Sequence, residues 1–176
     1  MSPTTMNTLF LSARVLHILF GAIWLGAAIV VSFFLLPAIE QAGPDGGKVV
    51  AGMIRRKFDK FIPSIGGITV LTGFFLYWHY TAGFDPAMSA SMGGRVFGAG
   101  GILGTIALII AGSVVARNMR KVVALMKQAS ETADAHSRAP ILEQAGQLRR
   151  QAGKAGRIVA LLLIVTMVLM ALGHYV

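Results

Sequence analysis

Residues 15–36 read VLHILFGAIWLGAAIVVSFFLL, an apolar run whose one ionisable side chain, His17, stands just inside its beginning. A helix of ~20 apolar residues covers the hydrocarbon thickness of a bilayer, and no Asp, Glu, Lys or Arg occurs between positions 15 and 39. A histidine facing hydrocarbon is costly, so an ionisable group at such a place marks a functional-site candidate. The rest of the chain is read as the helices that surround His17.

Composition supports a membrane protein throughout. Of 176 residues, 55% are hydrophobic and only 13% charged, and the mean hydropathy is +0.70, outside the usual range of a soluble domain. With no cysteine, disulfides, thiolate metal sites and cysteine nucleophiles are excluded. Residues 1–13 carry neither a basic leader segment nor a clear cleavage site, so the first apolar run is expected to be retained.

The fold expected is an all-α integral membrane protein: one transmembrane domain, an up-down bundle of four helices over residues 9–36, 61–80, 95–116 and 158–175. Pro37 closes the first helix, and residues 38–60 form a Gly/Pro-containing loop ending in the cluster Arg55, Arg56, Lys57 and Lys60. Gly94/Gly98 and Gly100/Gly104 have GxxxG spacing, which suits close packing within the chain and is compatible with a homodimer. Residues 117–157 form the one long polar segment, expected as a helical hairpin extension broken near Pro140.

The net charge of +9 is explained by topology. Of the sixteen Lys and Arg residues, fourteen lie in residues 38–60 and 117–157, leaving Arg14 and Arg95 for the other side. The positive-inside rule then makes both basic segments cytoplasmic and puts both termini on the periplasmic side of a bacterial inner membrane. Attraction to anionic lipid accompanies this, and nucleic acid is not needed as a partner.

Counting from the cytoplasmic end of each helix, at ~1.5 Å per residue, puts His17, His79 and His174 at one height near the outer face, with Arg14 and Arg95 beside them. His136 falls in the cytoplasmic extension. Imidazoles at one level suit the iron of a b-type haem, whose propionates favour Arg near the surface. Gly21 and Trp24 share the helical face of His17 and would line the macrocycle's slot. His17 is the expected axial ligand, with His79 or His174 as the second. An amphipathic ring beside Trp78, Tyr80 or Tyr175 is also ordinary interfacial behaviour.

Three stretches resemble a known group. RVLHILFGAIWLGAAIVVSFFLLPAI carries a His, a Trp-x-Gly seven residues later and a Pro at the far end; RRKFDKFIPSIGGITVLTGFFLYW and GRVFGAGGILGTIALIIAGSVVARNMRK follow it. Together they resemble the first three helices of bacterial four-helix membrane proteins of the copper-resistance D type and of the haem-containing protoporphyrinogen oxidase type. The resemblance implies a haem or metal membrane protein with His17 as ligand.

The leading expectation is a cytochrome-like haem protein for electron transfer, or for sensing a small redox ligand, with a redox protein or quinone as partner. An oxidase of a lipophilic porphyrinogen or quinol is an alternative, although the membrane spans hold no carboxylate to accept a proton. Copper transport is another. It would rely on Met88 and Met92 outside, and on the hydroxyls Ser32, Ser64, Thr69, Thr72, Thr105, Ser113 and Thr166 within the spans.

Overall fold

The computed structural model describes residues 3–176, and they are almost wholly helical. Helix α1 (Pro3–Ile29) runs through a π-helical turn (Val30–Leu35) into α2 (Leu36–Gln41), and a short 3-10 turn leads to α3 (Gly46–Arg55). After α4 (Phe58–Tyr80) and the short α5 (Pro86–Ala90), α6 (Met92–Ile110) continues through a second π-helical turn (Ala111–Ala116) into α7 (Arg117–Glu131). Helix α8 (Ala135–Leu172) closes the chain. Four of the resulting helical rods are long and apolar enough to cross a membrane: Thr4–Gln41, Phe58–Tyr80, Met92–Glu131 and Ala135–Leu172. Val15, Phe34, Leu71, Ile102, Ile109 and Leu161 project outward from them. A contiguous exposed apolar belt of this kind suits lipid rather than water.

Helices in lipid gain little by hiding apolar surface from one another, so close packing through small residues holds them together. Helix α1 runs antiparallel to α4, with the Phe10 ring 4.7 Å from the His79 ring at one end and Trp24 lying on Gly66 further along. Helix α6 packs on α8, where Gly100 meets Met170 and Gly104 meets Thr166. Gly94 fits against the carbonyls of Met88 and Ser89, and Gly98 against Tyr77. Both GxxxG spacings are therefore used within the chain. The central core is Trp24, Ile65, Ala107, Val159 and Leu163.

The rods are longer than the apolar pattern predicts, for local reasons. Pro37 has no N–H for the carbonyl four residues back, yet the chain stays helical, because the π turn widens the register and the Leu36 N–H donates to Val31 O. Residues 46–55, expected as loop, form a helix that buries Val50, with Met53 and Ile54 three and four residues on. The polar segment breaks at residues 132–134, not at Pro140, which lies inside α8. Asp134 sets the break by accepting from the His136 and Ser137 N–H groups and from Ser137 Oγ. These bonds hold its carboxyl below the ordinary value. The cap is therefore complete above that ordinary value and is lost as pH falls through the depressed one.

The Trp24 contact separates two adjacent glycines. A Cβ on Gly66 would stand 3.0 Å from the Trp24 ring, whereas one on Gly67 meets nothing within 4 Å. Gly66→Val is expected to cost about 1–3 kcal/mol by overpacking. Gly67→Val should change stability by under about 0.5 kcal/mol. Denaturation midpoints of the two variants in mixed detergent check this.

Candidate functional site

His17 lies in the groove between α1 and α4, where its Nδ1 is 2.8 Å from the carbonyl oxygen of Thr69. A carbonyl can only accept, so Nδ1 carries the proton and donates it. In the neutral ring this leaves the Nε2 lone pair free, and Nε2 has no hydrogen-bond partner among the described residues. Thr72 Oγ1, at 3.5 Å from Nδ1, gives its own proton to Ile68 O at 2.7 Å. Gly73 makes room for the ring, since a Cβ there would sit 2.6 Å from His17 Cε1. An imidazole with Nδ1 fixed by a backbone carbonyl and Nε2 left over is arranged as metal-ligating histidines commonly are.

The other expected site residues do not gather around it. His79 meets the Phe10 ring at a tilt of 42°, and His174 meets Phe97 edge-on at 5.1 Å. Phe97 in turn packs on Tyr80 at 5.0 Å. His79 is six residues beyond Gly73 on α4 and hence ~9 Å higher along the axis, so the single level expected for the three rings is not found. The offset of the two helices is the reason. With Trp24 against Gly66, Pro37, thirteen residues past Trp24, lies ~10 Å beyond the level of Lys60, six residues before Gly66. Counting from the two as if level therefore puts His17 too high, and Phe10 is the residue at the height of His79. His174 follows Gly173, which caps α8, and is exposed.

Two imidazoles on opposite faces of one iron must bring their nitrogens within about 4 Å, two bonds of ~2 Å each. His79 and His174 therefore do not fit as the second ligand beside His17 within one chain, which leaves Nε2 of His17 as the one free imidazole nitrogen in this groove. Among the described residues, no group of three or more His, Asp or Glu side chains is placed to hold a metal ion. Gly21 and Trp24 do share the face of His17, and α4 covers that face: a Cβ on Gly21 would meet Thr69 Cγ2 at 3.4 Å, and Trp24 is 2% exposed. Arg14 and Arg95 are exposed and make no ion pair among the described residues.

The hydroxyls within the spans mostly serve their own helices. Ser64, Thr69, Thr72, Thr105 and Ser113 each donate to the carbonyl four residues back, at 2.6–2.9 Å. Thr166 Oγ1 is buried without a partner. Ser32, 4% exposed, also has no hydrogen-bond partner among the described residues.

Ser32 belongs to a feature that apolar periodicity does not announce. On the far side of Trp24 from His17 is a cavity of about 160 Å³, walled by both π-helical turns through Val31, Ser32, Leu35, Ala111 and Val115. Val50, Met53 and Ile54 of α3 cover it, and Asp59 and Arg120 form its polar rim. The signals were present in Pro37, in the i, i+3, i+4 pattern of residues 50–54 and in Ser113, whose side chain bonds Ile109 O at the start of the second widened turn. Such turns are frequent at functional sites. No family model, curated protein or solved structure matches the chain.

Gly73 offers a test of the His17 pocket that leaves His17 itself in place. Gly73→Ala is expected to displace the ring and break its bond to Thr69, with a stability cost of about 1–3 kcal/mol. An Nδ1 resonance in the ¹⁵N-histidine NMR spectrum that loses its hydrogen-bonded shift in the variant, and keeps it in Gly67→Ala, is the result that checks it.

Proposed function

We propose that this is a multi-pass protein of the bacterial inner membrane that carries b-type haem on His17 and serves electron transfer or the sensing of a small redox ligand. The observation that carries the reading is the His17 imidazole itself. It sits between two membrane-spanning helices, with Nδ1 committed to Thr69 O and Nε2 uncommitted. The resemblance of its first three helices to the copper-resistance D and haem-containing oxidase types points the same way. His17 would hold the haem, which would supply one-electron chemistry there. The chain's own part is to fix the ring's orientation through Thr69 and to seat it against Gly73.

In this reading the four rods form an up-down bundle. The helices over residues 117–157 make a cytoplasmic hairpin, and both termini are periplasmic, as the partition of the basic residues supports. Absence of native cysteine makes the orientation directly testable. In intact spheroplasts, Ala87→Cys is expected to react with a membrane-impermeant maleimide and Ser130→Cys is not; the reverse labelling would invert the topology.

The test of the function is an optical spectrum of the detergent-purified protein from haem-replete cells, oxidised and dithionite-reduced. A Soret band lost in His17→Ala and kept in His79→Ala and His174→Ala is expected. A colourless preparation, or a band indifferent to His17, would overturn the proposal.

A further inference from the structure

The cavity beyond Trp24 is a second site, independent of the haem reading: His17 is not among its lining residues, and the Trp24 ring stands between them. Its wall is apolar apart from Ser32, Asp59 and Arg120. An apolar cavity of this kind stays dry and accepts apolar ligands. At about 160 Å³ it falls short of the roughly 300 Å³ at which pockets for drug-sized molecules begin, which suits a slender hydrocarbon chain.

The surroundings identify the head that such a chain would carry. Helix α3 lays Val50, Met53 and Ile54 over the cavity while Lys48 and Arg55 remain exposed, the arrangement of a helix lying in a membrane interface. At this end the sequence supplies Arg55, Arg56, Lys57, Lys60, Arg117, Arg120 and Lys121. Among the described residues the ion pairs are Lys48–Asp45 and Lys127–Glu131, so these seven cations are unpaired. Asp59 is the one carboxylate on the rim. Ser32 lines the cavity and its hydroxyl has no hydrogen-bond partner among the described residues, which places a donor on the wall for an ester oxygen.

We propose that this cavity holds one acyl chain of an anionic phospholipid whose phosphate lies by Arg120. The lipid chain fills the space that the two widened turns open, and its headgroup meets the unpaired cations at the rim. Basic pockets between helices on the cytoplasmic side are suited to anionic headgroups.

Trp24 reports on the site directly, because the other tryptophan, Trp78, is at the opposite end of the bundle and can be replaced. The full chain carrying Trp78→Phe is reconstituted in phosphatidylcholine vesicles containing equal mole fractions of chain-brominated phosphatidylglycerol or chain-brominated phosphatidylcholine. Brominated phosphatidylglycerol is expected to quench Trp24 more steeply than the zwitterionic lipid. Arg120→Gln, a change at an exposed rim position, should weaken that preference roughly fivefold, the worth of one cation near an anionic surface. Ala28→Leu, which fills the cavity, should abolish the anionic component. Equal quenching by the two lipids, no quenching by either, or a preference unchanged in Arg120→Gln would overturn the proposal.

Discussion

The contact of the Trp24 indole with the backbone of Gly66 is the point on which the interior is organised. Lipid offers no hydrophobic drive to press α1 on α4, so dispersion contacts over a close approach must do it. A large flat ring opposite a residue without a side chain gives the largest contact at the shortest separation. The same ring, 2% exposed, divides the bundle. On one side, α1 and α4 close over His17. On the other, the helices part around a cavity.

That parting follows from the backbone. A π-helical turn widens a helix while its hydrogen bonds stay within the helix, the condition any departure from α geometry must meet in a membrane. The two turns stand in different rods, Val30–Leu35 and Ala111–Ala116, and both border the same cavity. Of the span hydroxyls, Ser64, Thr69, Thr72, Thr105 and Ser113 return to their own carbonyls, whereas Ser32 on the cavity wall and Thr166 do not.

The four spans and the single-sided basic charge were legible because they rest on composition over twenty or more residues, which no local irregularity can erase. The candidate site was less legible, because the relative heights of residues on two helices depend on how far one helix is slid along the other. Pro37 and Lys60 mark the same end of their spans in the sequence, but the packing of Trp24 on Gly66 sets them at different levels. At ~1.5 Å per residue that offset separates His17 from His79. Residues 46–55 carry three glycines and so resembled a loop, yet Val50 and the pair Met53 and Ile54 fall on one face. Asp134 overrode Pro140 as the break, because a capping carboxylate satisfies orphan N–H groups and a proline near a helix start removes only one bond.

His79 and His174 are accounted for by the rings they touch, which form an aromatic layer with Phe10, Phe97 and Tyr80 at one end of the bundle. His17 is not accounted for in that way. An interhelical hydrogen bond in a membrane protein contributes on average about 0.6 kcal/mol, and Nδ1 makes one such bond to Thr69 O. Nε2 makes no hydrogen bond among the described residues, so one nitrogen of the ring joins α1 to α4 and the other serves no contact within the chain. Aromatic neighbours account for the placing of His79 and His174; for His17, the missing side chain at Gly73 accounts for how the ring is seated in the groove, and the hydrogen bond to Thr69 for how it is turned.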